Sequence, residues 1–203
     1  MLSNTKNLKF ILGSSSPRRL ELLKQINFYP NKIFKPEINE DPQKKELPIL
    51  YVKRMAKEKM DVVKKKFPND LILTADTIVY VGRRIIDKTN EKSKAIKFLE
   101  LLSGRRHRVS TAFNLYCKDK IDSLRVVTSV VKMKRLTDNE IKSYIETNEW
   151  KGKAGAYGIQ GSAEKFIQFI SGSYTNIVGL PLNQVYGSLN SICLLYTSPS
   201  PRD

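Results

Sequence analysis

The sequence predicts a single α/β domain, a mixed and twisted sheet flanked by helices. Three observations predict it. Short apolar runs alternate along the chain with stretches whose apolar residues recur at helical spacing. Residues 109–115 alternate as a strand and 124–135 supply an antiparallel partner, which argues against a purely parallel sheet. The 203 residues, 40% of them hydrophobic, can bury one sizeable core and are marginal for two independent ones. The domain is expected over residues 1–192.

Leu8–Leu12 reads as a short buried strand running into Gly13-Ser14-Ser15-Ser16-Pro17. Ser16 can cap a helix with Pro17 at its first position and Leu20, Leu23 and Ile26 facing inward. Residues 29–48 are polar and proline-rich, hence loop or irregular strand. From Pro48 to Phe67, Val52, Ala56, Met60, Val63 and Phe67 recur at helical spacing. Leu71–Ala75 is a strand expected to stop at Asp76-Thr77; Ile78–Val81 resumes it, and Gly82-Arg83 turns it into a hairpin. Residues 91–102 form a further helix, closed by Ser103-Gly104. Thr137 and Glu140 form a capping box opening a helix to about Thr147. Gly152–Gly161 is a glycine-rich loop, Phe166–Ile170 a strand, Gly172-Ser173 a turn and Leu180–Leu189 a helix.

Residues 193–203, CLLYTSPSPRD, do not belong to this pattern. They resemble translated adapter or vector read-through, the alternative being an ordinary disordered tail. They are set outside the functional reading, and Cys193 with them.

Lys+Arg 36 against Asp+Glu 20 gives a formal charge of +16, which favours anionic partners such as nucleotide, nucleic acid or acidic membrane. A lysine-rich, solvated surface accounts for much of it equally well. The arginines cluster more: Arg18-Arg19, Arg83-Arg84, and Arg105-Arg106 with Arg108. No apolar run approaches the roughly 20 residues of a membrane helix, and the first residues lack a signal peptide's apolar stretch. Two cysteines build neither a disulfide framework nor a zinc cluster. A reducing, cytoplasmic setting is expected.

Four features carry candidate chemistry. Ser14-x-Ser16-Pro17-Arg18-Arg19 follows a strand and opens a helix, where backbone N–H groups carry partial positive charge. Two hydroxyls and two guanidiniums add donors suited to phosphate; a capped helix with a solvated arginine pair fits the spacing too. Asp76, before Thr77 at an expected strand end, can ligate a divalent cation or take a proton from water. An ordinary aspartate is a weak base at neutral pH, so that role needs a metal or a shifted pKa; a turn-forming aspartate is the alternative. Gly152–Gly161 lets a backbone approach a ligand closely, and Gln160 offers donor and acceptor to the edge of a base. Its spacing is not the dinucleotide fingerprint, and no Walker lysine motif is present. Lys59 and Lys88 lie nearby in sequence, but spacing alone does not set them apart from surface lysines. His107 has no second histidine or cysteine beside it and reads as structural.

Taken in order, six segments resemble the Maf family of nucleoside triphosphate pyrophosphatases: ILGSSSPRRLELL (11–23), YVKRMAKEKM (51–60), ADTIVYVGRRIIDK (75–88), LLSGRRHRVSTAFNL (101–115), EWKGKAGAYGIQG (149–161) and GSYTNIVGLPL (172–182). The likeness runs from Leu8 to about Leu189. It implies a fold of the Maf/inosine-triphosphate-pyrophosphatase type. The implied activity is hydrolysis of a nucleoside triphosphate to monophosphate and pyrophosphate with a divalent cation, Mg²⁺ or Mn²⁺. By the same resemblance Asp76 is the proton acceptor, and Ser14, Ser16, Arg18 and Arg19 form the triphosphate loop. Lys59 and Lys88 are active-site lysines, Glu40 lies near the metal together with Asp76, and Arg18, Thr77 and Gln160 select the base. GKAGAYGIQG looks like the branch acting on dTTP and UTP rather than on 7-methyl-GTP. The partner implied is free nucleotide, with no stable nucleic acid and no membrane; a homodimer is compatible.

The family often has proline after the active-site lysine, where this chain has Thr89, and a freer backbone is expected there. The tail also replaces whatever follows about Ile192, at the expense of final-helix packing or a dimer contact. The rival from another class is a catalytically weak, basic nucleic-acid-binding or cell-division regulatory protein, although no nucleic-acid-binding signature accompanies the charge.

Overall fold

The computed structural model describes residues 8–197, and side chains through 192. Its strands are β1 (Phe10–Gly13), β2 (Lys32–Ile33), β3 (Leu71–Val81), β4 (Arg84–Ile86), β5 (Arg106–Cys117), β6 (Ile121–Met133) and β7 (Ile167–Ser171). The helices are α1 (Pro17–Gln25), α2 (Pro48–Lys66), α3 (Lys92–Leu102), α4 (Asp138–Glu146), α5 (Tyr174–Val178) and α6 (Leu182–Thr197). The strands form one sheet in the order β2-β1-β3-β5-β6-β7, with β4 paired to β3. β1 runs parallel to β2 and β3, and the other pairings are antiparallel. The mixed α/β expectation holds.

Strand β3 organises the molecule because its side chains alternate between two covered faces. Leu71, Leu73, Ala75 and Val79 enter the larger core, which α1, α3, α4 and α6 cover. Ile72, Ile78 and Tyr80 face α2, against Met60, Val63, Tyr51 and Met55.

Three expectations change. Asp76-Thr77 does not end a strand; β3 runs unbroken through both, because each polar side chain finds a partner on its own face. Helix α1 turns Arg19, Leu22 and Leu23 inward, leaving Leu20 and Ile26 only half-buried, since Arg19 has buried acceptors to satisfy. A short helix, α5, lies between the expected turn at Gly172-Ser173 and the last helix. Ser173 caps it by accepting from the Asn176 N–H. The last helix starts at Leu182 and continues to Thr197; the rest of the tail, 198–203, lies outside the described residues, as do 1–7. The capping box at Thr137 and Glu140 is present as expected.

Candidate active site

The pairing of β3 contains a gap. β1 accompanies it from Leu71 to Thr74, and β4 joins the same side at Val79. Between them, residues 75–78 have no strand neighbour on that side among the described residues. A ligand at the gap meets side chains from both faces of the sheet, and a cavity of about 500 Å³ opens there. It takes in Ser14, Ser16, Arg18, Arg19, Glu40, Lys59, Thr77, Lys88 and Gln160. Asp76 lines an adjoining hollow of about 270 Å³ that shares Glu40, Thr77 and Lys88 with the cavity. The expected site residues therefore converge, at the end of parallel strand β1 and the middle of β3 rather than at an end of β3.

From the α1 side, Pro17 occupies the first helical turn and Ser16 the N-cap position, but the Ser16 hydroxyl caps nothing. Arg19 is buried. Its guanidinium donates to the Gly179 carbonyl at 2.9 Å, to Ser14 Oγ at 2.9 Å and to Thr77 Oγ1 at 3.1 Å. Burial pulls its pKa down, and the nearby Asp76 carboxylate pulls it back up. Arg18 is half-buried on the cavity wall, where desolvation lowers its pKa against the pull of Glu21. Thr77 passes the network on to Thr111 Oγ1 at 2.9 Å, which donates to the Asn176 carbonyl.

From the α2 side, Lys59 sits on the buried stripe with Val52, Met55, Ala56, Met60 and Val63. Its Nζ lies 2.6 Å from Asp76 Oδ1 and 2.7 Å from Glu40 Oε1. Lys88 Nζ stands 3.6 Å from the other oxygen of Glu40. Desolvation raises the Glu40 carboxyl, but the hydrogen bond and charge of Lys59, reinforced by Lys88, outweigh it and hold the pKa below its ordinary value. Tyr51 OH donates to the Glu40 carbonyl at 2.6 Å, fixing the loop that carries Glu40. Asp87 lines the hollow, its carboxyl pushed up by burial and by Asp41 and Asp76 against Lys94 and Lys88.

The glycine-rich loop forms the remaining wall. Gly155 takes φ 75° and packs against Val79, which seats the loop over β3. Gln160 is exposed to the cavity. Behind the wall, Tyr157 OH and His107 Nε2 lie 2.7 Å apart in the core, which agrees with a structural His107. Thr89 makes two local hydrogen bonds. Its Oγ1 accepts from the Glu91 N–H at 3.0 Å and its carbonyl from Gly152 at 3.2 Å, tying the Lys88 turn to the glycine loop.

Lining groups that escape the sequence reading include Tyr51, Asp87, the Gly179 carbonyl, Glu149 and Lys153. Tyr51 shared a signal with Lys59, being two helical turns before it on the same stripe. Glu149 and Lys153 had only their places beside the glycines. Among the described residues no group of three or more His, Cys, Asp or Glu side chains is arranged to hold a metal. One oxygen each of Asp76 and Glu40 meets the Lys59 ammonium, so a metal would be held by their remaining carboxylate oxygens. Magnesium commonly takes one or two carboxylates and completes its shell with water and substrate phosphates, so this donor set fits such an ion.

A sequence model described as Maf-like protein matches residues 9–192. A protein of Roseobacter denitrificans named dTTP/UTP pyrophosphatase is 53% identical over 182 residues, covering 90% of this chain and 96% of its own. One of the same name in Ruegeria sp. is 52% identical over 175 residues, covering 86% and 90%. A nucleoside triphosphate pyrophosphatase of Ehrlichia ruminantium is 51% identical over 180 residues, covering 89% and 94%. The family match extends through the loop at the mouth of α1, β3 and the glycine-rich wall, and the chain belongs to the Maf family.

Proposed function

We propose that this protein is a nucleoside triphosphate pyrophosphatase that hydrolyses dTTP, UTP and modified pyrimidine nucleotides to the monophosphate and pyrophosphate. The observation that carries the proposal is the gap in β3. There Arg18, Arg19, Lys59 and Lys88 meet Glu40 in a cavity sized for a small ligand, with Asp76 in the adjoining hollow and paired to Lys59. Relatives named for dTTP and UTP support the choice of base.

The triphosphate binds the N-terminus of α1 and the Arg18 guanidinium, while Arg19 is held by buried acceptors and presents fixed positive charge from behind. At an effective dielectric near 20, two unit charges about 4 Å apart attract by roughly 4 kcal/mol, so several cations together offset the lost hydration of a triphosphate. Lys59 orients Asp76 through Oδ1. The other oxygen of Asp76 takes the proton from the water that attacks the α-phosphorus, and Lys88 lies on the cavity wall to meet the departing pyrophosphate. Asp76 and Glu40 would hold a divalent cation, Mg²⁺ or Mn²⁺, which when bound acidifies water and neutralises phosphate charge. Gln160 and Thr77 both line the cavity, and Gln160 meets the base. Free nucleotide, a cytoplasmic metabolite, is the partner; among the described residues no helix is long and apolar enough to cross a membrane.

Asp76→Asn tests the reading. It should lower pyrophosphate release from dTTP and UTP by about 10²–10⁴-fold while nucleotide affinity changes little. Surviving turnover would remove Asp76 from its role. In the wild type, salt-sensitive binding of nucleic acid without release of pyrophosphate would favour a basic binding protein instead.

A further inference from the structure

The two glycines flanking Ile159-Gln160 make room for charged side chains of the same loop. A Cβ on Gly161 would stand 2.1 Å from Glu149 Oε2, and one on Gly158 would stand 2.7 Å from Cε of Lys153. Both side chains line the cavity next to Gln160. Glu149 is fixed there: Oε2 accepts from the Ser162 N–H at 2.8 Å, and the Lys153 ammonium donates to the Glu149 carbonyl. Its other carboxylate oxygen, Oε1, has no hydrogen-bond partner among the described residues.

We infer that Glu149 is a specificity-determining residue of this site, its Oε1 accepting the ring N3–H of uracil or thymine and so rejecting cytosine. The inference rests on the pyrimidine triphosphatase reading and deepens it. Uracil and thymine present acceptor, donor, acceptor along the pairing edge; cytosine replaces the central N3–H with a lone pair. Gln160 cannot make that distinction alone. Its amide offers oxygen on one side and NH₂ on the other, and a half-turn about its last torsion suits either base. An ionised carboxylate is acceptor only, and one held by Ser162 cannot turn away. Against cytosine it sets lone pair against lone pair in a partly desolvated wall, the kind of mismatch from which a polar site derives its selectivity. Lys153, its stem pressed over Gly158, carries positive charge beside Glu149 and keeps that end of the cavity from becoming anionic.

Glu149→Gln is the discriminating variant, because its amide oxygen can keep the Ser162 bond while its NH₂ faces the base. Two ratios are measured on the full chain: kcat/KM for UTP over CTP, and affinity for the non-hydrolysable α,β-imido forms of the two nucleotides. Wild type should favour the uracil nucleotide in both, and Glu149→Gln should shrink each preference at least tenfold, with gain on the cytosine side. Gly161→Ala, which displaces the carboxylate without altering it, should shrink the ratios in the same direction. Ratios within twofold of wild type in both variants, a parallel loss on both nucleotides, or a wild type that binds the two alike would each overturn the inference. Absence of turnover with uracil preference intact in the binding ratio overturns the hydrolysis reading alone, and absence of binding overturns both.

Discussion

The ammonium of Lys59 donates to Asp76 Oδ1 at 2.6 Å, joining the buried face of α2 to the middle of β3. Both groups are almost wholly buried, 6% and 4% exposed. A pair of this kind is costly to desolvate and costlier to halve, since removing one member strands the other's charge; such truncations lose about 3–5 kcal/mol.

Lys59→Met should therefore destabilise the fold by about that amount, and should abolish turnover with it. Asp76→Asn added to Lys59→Met removes the stranded charge. The double variant should lose less stability than the sum of the singles by at least about 1 kcal/mol. Urea denaturation of the four proteins of the cycle reads the difference, and simple additivity would mean that the pair is not coupled in the folded state.

Arg18 and Arg19 adjoin in sequence and differ in work. Arg19 donates to three acceptors drawn from the Gly179 carbonyl, Ser14 and Thr77, whereas Arg18 has no hydrogen-bond partner among the described residues. Lysine cannot reproduce the fork. Arg19→Lys should lose about 1–3 kcal/mol of stability, the scale of a buried acceptor left without its donor, and raise KM for nucleotide. Arg18→Lys should raise KM with the melting temperature unchanged. Equal stability losses in the two would contradict the division.

How much of this was legible in the sequence varies with the kind of residue. The α1 loop, α2, the hairpin at Gly82-Arg83 and the capping box at Thr137 are written in local patterns that the fold keeps. The break expected at Asp76-Thr77 was misread because two adjacent polar residues in an apolar run look like a strand end. Only the partners on opposite faces, Lys59 and Arg19, reveal a continuous strand. Lys59 already fell on the apolar stripe of its helix, but a lysine there reads as solvated until the carboxylates facing it are known. The roles of Lys88 and Glu40 came from family likeness, and no spacing pointed to them. Glu149 and Lys153 were invisible because their signal is a distance to a glycine, which exists only after folding.

His107 links stability to pH through the wall of the cavity. It is 2% exposed, its Nε2 meets Tyr157 OH, and its Nδ1 has no partner among the described residues. Burial pushes its pKa down to about 4, from an ordinary 6.5. The unfolded chain thus takes up a proton below pH 6.5 that the folded chain refuses until about pH 4. In that window the unfolded state binds more protons, so stability rises with pH; the contribution is complete above about 6.5 and is lost on acidification. At 1.36 kcal/mol per pH unit the whole effect is on the order of 3 kcal/mol. His107→Gln has no proton to gain, so between pH 7 and pH 4.5 wild type should lose about 2 kcal/mol more than the variant in urea denaturation. Tyr157 lines the cavity immediately before Gly158-Ile159-Gln160. Acidification should therefore also raise KM for dTTP more steeply in wild type than in His107→Gln, and parallel pH profiles for the two proteins would remove His107 as the cause.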